Sequence, residues 1–261
     1  MRSLSTAATG MLAQQLNVEV ISNNIANMNT TGFKRQRAEF QDLLYQNLQR
    51  TGAQSSDTGT IVPSGVQVGV GVKAASVYRV VEQGNLVSTD NPYDMAIQGN
   101  GFFRIQLPSG EDAYTRAGSF QLSPTGQIVT TDGFAVSPGI TIPSDAVDVS
   151  VNSSGEVEVK TDGDVAGTVV GQIDLVIFFN EAGLEAVGDN LFKQTPASGT
   201  PSVSVPGSPG YGSILQGFLE TSNVNAVSEI TALIAAQRAY EMNSRVITTS
   251  DEMLRTTSSL R

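Results

Sequence analysis

The chain has no cysteine and no histidine among its 261 residues. Without thiols or imidazoles, the usual zinc sites, cysteine nucleophiles, serine–histidine–aspartate relays and imidazole acid–base steps are closed. Absence of cysteine suits an extracytoplasmic life without disulfides, as it suits many cytosolic chains. Long apolar runs are missing too. Nothing approaches the roughly 18–20 residues of a spanning helix, so no membrane insertion is expected. The opening MRSLSTAATGMLAQQLN lacks the continuous apolar stretch of a cleaved leader. The mature chain is therefore expected to begin near Met1, and any export to proceed without signal cleavage. Charge is sparse at 15%, against 39% hydrophobic residues and 26 glycines, which describes a globular chain rich in strands and turns.

The net charge of -10 is unevenly placed. Residues 1–50 carry five basic and three acidic side chains, and residues 223–261 carry four of each, so the acidity belongs to the centre. Nearly neutral ends fit segments that pack against copies of themselves, and an acidic centre fits a solvated exterior. Nucleic acid is excluded as a partner on the same ground.

Both ends read as helices. Leu4, Met11, Val18 and Ile25 recur every seven residues, thickened by Ala7, Ala8, Leu12 and Ile21, which predicts a helix from about Ser3 to Asn27. At the other end Leu233, Tyr240, Ile247 and Leu254 repeat at the same interval. There LETSNVNAVSE offers Ser222, Asn223 or Asn225 as a cap and Glu229 for the first turns. The stripes are narrow and lie at the extreme ends, so they are expected to pair with each other or with neighbouring subunits. Asparagine is a poor helix former, yet Asn23, Asn24, Asn27 and Asn29 crowd the end of the first helix. Asn24 stands one heptad after Asn17, which suits hydrogen bonding across helices to fix register. Asn27 and Asn29 suit capping and turning, with Gly32 and Phe33 completing the junction.

Between the helices the pattern changes. Val66, Val68, Val70 and Val72 alternate with Gln67, Gly69, Gly71 and Lys73, a period of two that predicts a strand. Tyr45 to Val72 reads as an extended arm whose tip carries Gln54, Ser55, Ser56, Asp57, Thr58, Gly59 and Pro63. Phe33 to Gln49 fits either a helical period or an extended exit. From Val77 to about Gln194, short apolar runs broken by glycine-rich turns predict an antiparallel, meander-like β domain. Thr195 to Ser213 holds proline and glycine at a density that predicts a linker or long loop. The fold class is thus α+β. Terminal helices (1–30 and 221–261) pair as a coiled-coil-like domain, an arm and connector span 31–75, and a mostly β domain spans 76–220.

No motif carries catalytic chemistry. Gly99-Asn100-Gly101 is followed by another strand-like run instead of a helix, so it reads as a tight hairpin turn and not as a dinucleotide fingerprint. Glu111 with Asp112, and Asp162 with Asp164, are the acid pairs a glycoside hydrolase or a calcium loop would need. In such turns they read as solvated side chains, and no calcium-loop spacing is present. Lys34, Arg35 and Arg37 likewise read as a solvated basic surface. No cofactor and no metal are expected.

Four blocks in order, SNNIANMNTTGFKRQRAEF, MAIQGNGFFRI, AYTRAGSFQLSPTGQIVTTDGFAV and GFLETSNVNAVSEITALIAAQRAYEMNSRVI, resemble the bacterial flagellar rod and hook proteins. Length and the Tyr45 to Val72 segment are most similar to a rod member, since the hook protein carries a larger outer domain. The resemblance implies a non-enzymatic building block that stacks helically as a homo-oligomer into a hollow rod, its helices lining an inner tube and its β domain outside. Implied partners are proximal rod proteins, the hook protein, the bushing of peptidoglycan and outer-membrane rings, and the flagellar type III export apparatus. Leu4, Met11, Asn17, Val18, Asn24, Ile25, Leu233, Tyr240, Ile247 and Leu254 are the expected assembly residues.

Overall fold

A computed structural model describes residues 2–49, 65–162 and 167–259. The chain is α+β and divides into two compact units. The first comprises residues 1–25, 36–78 and 226–261, and the second residues 26–35 and 79–225.

The first unit holds both long helices, α1 (Arg2–Ala26) and α2 (Ala226–Ser259). It also holds β1 (Gln36–Asp42), β2 (Tyr45–Gln49), β3 (Val66–Gly69) and all but the last residue of β4 (Val72–Arg79). Residues 36–49 are extended, so the two-way pattern after Phe33 resolves to strand. β2 and β3 form an antiparallel ribbon, and β1 pairs with β4. The valine alternation from Val66 to Val72 does not make one strand. It breaks at Gly71, whose φ of 131° is open to glycine and where a Cβ would collide with Thr9 Oγ1. Thr9 uses that closeness to accept a hydrogen bond from Val72 N at 3.3 Å.

The helices run side by side in opposite directions. Ser3 meets Ser250, Gly10 faces Asn243, and Asn24 meets Glu229, so each step of seven along α1 is answered by seven back along α2. A methyl group at Gly10 would lie 2.9 Å from Asn243 Nδ2, which shows how close the approach is. The line of contact therefore follows Ser3, Gly10, Asn17 and Asn24, one position away from the row Leu4, Met11, Val18 and Ile25. Small side chains win this line because they let the helices approach. The deeply buried residues of α1 are Ala7, Ala13, Val20, Ile21 and Asn24, whereas Leu12, expected to thicken the apolar face, is exposed.

The second unit contains β5 (Leu86–Ser88), β6 (Met95–Gln98), β7 (Phe102–Gln106), β8 (Asp112–Thr115), β9 (Phe120–Leu122), β10 (Ile128–Thr130) and β11 (Ala135–Val136). It continues with β12 (Ala146–Val151), β13 (Glu156–Thr161), β14 (Thr168–Gln172), β15 (Leu175–Ile177), β16 (Glu185–Gly188), β17 (Leu191–Lys193), β18 (Ser202–Ser204), β19 (Ser213–Gln216) and β20 (Phe218–Glu220). Nine of these strands form one antiparallel sheet through β16-β17-β8-β7-β11-β10-β9, with β15 bridging β7 and β18. Consecutive aromatics on β7 point to opposite faces, as the pleat requires. Phe103 enters the main core and stacks edge-on with Phe120 at 5.1 Å, while Phe102 joins a smaller cluster with Tyr114 and Phe178.

Three expectations change here. The sheet is not a simple meander, because β7 sits between β8 and β11 and also takes β15. Gly99 and Gly101 both have positive φ, but they do not close a hairpin, since β6 pairs with β19 while β7 belongs to the large sheet. The proline-rich stretch after Thr195 is not all loop. Ser202–Ser204 forms β18 because β15 presents an unpaired edge, a partner far away in sequence.

Gly118 carries no side chain because Met95 O occupies the space, and Met95 N donates a hydrogen bond to Gly118 O at 2.9 Å. Gly118→Ala is expected to lower unfolding free energy in urea by at least ~1–3 kcal/mol, since the clash is with backbone and forces strand β6 to shift.

Candidate functional site

The second unit is held at its centre by a buried carboxylate. Glu220, at the end of β20, is 1% exposed. Its Oε1 accepts hydrogen bonds from Lys34 Nζ at 2.6 Å and Gly84 N at 2.8 Å, and its Oε2 accepts from Arg116 Nε at 2.6 Å. Its backbone oxygen takes Gly32 N at 2.8 Å. The cations are satisfied in turn. Lys34 Nζ also donates to Glu82 O, and Arg116 donates from Nη1 to Gly101 O at 2.6 Å and from Nη2 to Gly99 O at 2.5 Å. The Gly99–Gly101 turn thus supplies carbonyls to a guanidinium.

Burial and charge oppose each other at this site. Burial alone raises the Glu220 carboxyl, but the Arg116 charge and the hydrogen bonds from Lys34 and Arg116 outweigh it and hold the group below the usual carboxylate range. Burial lowers the Lys34 ammonium in spite of Glu220. Glu181, facing the same cations, is raised by burial against the pull of Arg116 and Lys34. Arg79 lies 4.6 Å over the Phe192 ring and donates to Leu184 O, and burial lowers its value too.

Lys34 was expected on a solvated surface, and the structure corrects this: it is 4% exposed. Its partner lies 186 positions away, so nothing local in the sequence marks it. Gly32, in the turn after α1, has φ of 69°, and a Cβ there would press on Ala117 N and Arg116 C. Asn27 accepts from Thr30 Oγ1 and makes the turn, while Asn29 is exposed. Of the candidate caps, Asn223 is committed to Arg35 N, Val80 O and Glu82 O, and Ser222 accepts from Val224 N.

In the first unit the buried polar residue is Asn24, 1% exposed. Its Oδ1 accepts from Gln36 N at 2.8 Å and its Nδ2 donates to Gln36 O at 2.8 Å, mimicking a neighbouring strand. The same Nδ2 donates to Glu229 Oε2 at 3.1 Å. Asn24 therefore bonds across helices within its own chain, to Glu229 and not to another asparagine. Asn17 lies on the same contact line, half-buried. Val18 and Tyr240 line an apolar groove of ≈ 500 Å³ between α1 and α2, rimmed by Gln15, Glu19, Gln237 and Glu241. Leu4, Met11, Ile25, Leu233 and Ile247 are half-buried, and Leu254 is exposed. The arm-tip residues Gln54, Ser55, Ser56, Asp57, Thr58, Gly59 and Pro63, and Asp164, fall outside the described residues. Of the other acids, Glu111 pairs with Lys193 at 2.6 Å and Asp112 faces Arg104 at 3.9 Å. Among the described residues no group of three potential metal ligands occurs, and no helix is long and apolar enough to cross a membrane.

Both helices and part of the β unit match described protein families. Residues 4–34 match the family described as flagella basal body rod protein, 96–159 the flagellar hook protein FlgE/F/G D1 domain, and 215–260 the flagellar basal body rod FlgEFG protein C-terminal. The chain belongs to this flagellar rod and hook family, whose members are structural and not enzymes. It is 65% identical to the flagellar basal-body rod protein FlgG of Caulobacter vibrioides over 261 residues, all of both chains. It is 53% identical to FlgG of Agrobacterium fabrum over 97% of each chain, and 40% identical to FlgG of Bacillus subtilis over 97% of each. It is thus a structural subunit of the flagellar basal-body rod. Gly32, Lys34 and Glu220 fall inside the two terminal family regions, and Arg116 inside the central one.

Two outcomes test this geometry. Glu220→Gln leaves Lys34 and Arg116 buried without their counter-charge and is expected to cost about 3–5 kcal/mol in denaturant unfolding. Because the folded Glu220 carboxyl lies below its unfolded value of about 4.3, its contribution is present above that pH and is lost as pH falls through the folded value. The acid limb of the stability curve should therefore be steeper in the native chain than in the variant. Asn24→Asp removes a donor and sets a second carboxylate beside Glu229, and is expected to cost about 1–3 kcal/mol at neutral pH, with part recovered on acidification.

Proposed function

We propose that the chain is the distal rod subunit. Copies polymerise helically into the hollow rod that crosses the periplasm, carries torque from the motor to the hook and encloses the export channel. Its neighbours are the proximal rod proteins, the hook protein and the surrounding peptidoglycan- and outer-membrane-ring bushing. It reaches the growing tip through the flagellar type III apparatus without signal cleavage. The two terminal helices act as one coiled-coil-like element of the inner tube, and the β unit forms the acidic exterior.

The observation that carries this reading is the apolar surface left open on α2. Val227 is 75% exposed, Met242 61% and Met253 59%, with Ile230, Ile234 and Val246 also exposed. A soluble monomer gains nothing from such a row, whereas an open polymer needs unlike faces that fit each other without closing a ring. The assembly residues Leu4, Met11, Val18, Ile25, Leu233, Tyr240, Ile247 and Leu254 flank that surface. The ribbon of β2 and β3, with Leu44 88% exposed at its base, is the root of an arm that wedges between neighbours and suppresses sliding.

Deleting Gln54 to Pro63 is expected to give rods that bend, and rods as straight and stiff as the parent by electron microscopy would remove the wedge from the account. The ends of both helices should exchange amide protons quickly in the monomer and slowly in the filament, because a narrow helical face gains most of its stability from packing.

A further inference from the structure

Resting on the reading that copies of this chain assemble, we infer that the groove between α1 and α2 receives the first turns of α2 from a second copy. The groove has apolar walls, Val18 and Tyr240, and its rim carries two carboxylates, Glu19 and Glu241. A filling element must therefore present apolar knobs at helical spacing with a cation close by.

The chain itself carries such an element. Val227, Ile230 and Ile234 are spaced by three and four residues, so they share one face of α2, and all are exposed. Arg238 follows four residues later on the same face and is exposed as well. Val227 to Ile234 spans roughly 10 Å of helix, enough to lay two or three knobs along the groove. The face is turned away from the residues α2 gives to α1, namely Glu229, Ala236 and Ser250, which are buried. It cannot fold back into the groove of its own molecule, because one side of that groove is α2 itself. Knobs and groove occupy different levels of α2, Val227 to Ile234 and Gln237 to Glu241, so each copy offers one of each and the contact propagates without closing.

The charges favour this occupant over an unrelated apolar helix. An apolar face ending in a cation meets an apolar groove rimmed by acids, while the acidic central segment, net -12 over residues 51–222, is repelled by the same rim. Arg238 approaching Glu19 fixes the direction in which the incoming helix lies.

The absence of native cysteine makes the test clean. Two differently tagged copies, one Val18→Cys and one Ile234→Cys, are expressed together in a flagellated bacterium lacking its own copy, and isolated basal bodies are oxidised. A disulfide joining the two tags is expected, with Leu12→Cys in place of Val18→Cys giving at least tenfold less. Normal basal bodies with no mixed disulfide, with equal yield from Leu12→Cys, or with the Val18→Cys copy joined to a different protein would overturn the inference while leaving rod assembly intact. As a second arm free of cysteine, Glu19→Arg and Arg238→Glu should each lower rod number at least tenfold, and copies carrying both should recover it. Failure of the double variant to recover, or normal rods from both singles, also overturns it. If the unaltered chain formed no rods in this host, the proposed function itself would fall instead.

Discussion

One buried carboxylate organises the β unit. Glu220 gathers the turn after α1 through Gly32 and Lys34, the backbone at Gly84, and the end of the sheet through Arg116. Burying an ionised carboxylate is costly unless every lone pair is used, and here cations and amides meet both oxygens. Arg116 in turn holds three carbonyls of the Ile97–Gly101 bend, which lets strands from different sheets meet at one point. Removing any member leaves another charged group stranded in a dry site, so the residues act as a set.

The helical unit solves a different problem. Its internal contact line is built from small and polar side chains, Ser3, Gly10 and Asn24 against Ser250, Asn243 and Glu229, and is locked by Asn24 where α1, β1 and α2 converge. Small residues give close approach with little buried apolar area, so the pairing within one chain is modest. The larger apolar side chains remain on the shoulders and the outer face of α2.

The helices keep apolar side chains exposed, while the β unit is closed by its own core and ionic centre.

The sequence by itself determined the helices, the β-rich middle, the turn at Gly32 and the absence of thiol and imidazole chemistry, because periodicity, glycine placement and composition are local properties. Family membership was legible for the same reason, in contiguous blocks at both ends and in the centre. Tertiary structure alone decided that Lys34 is an interior cation, that Ser202–Ser204 is a strand, and that Ser3, Gly10 and Asn24 meet Ser250, Asn243 and Glu229. Each of these depends on a partner more than twenty residues away. A hydrophobic heptad declares that a surface must be covered, but which copy covers it is set by packing distance, and at Gly10 and Asn24 the small residue and the hydrogen bond took the place that leucine and valine had advertised.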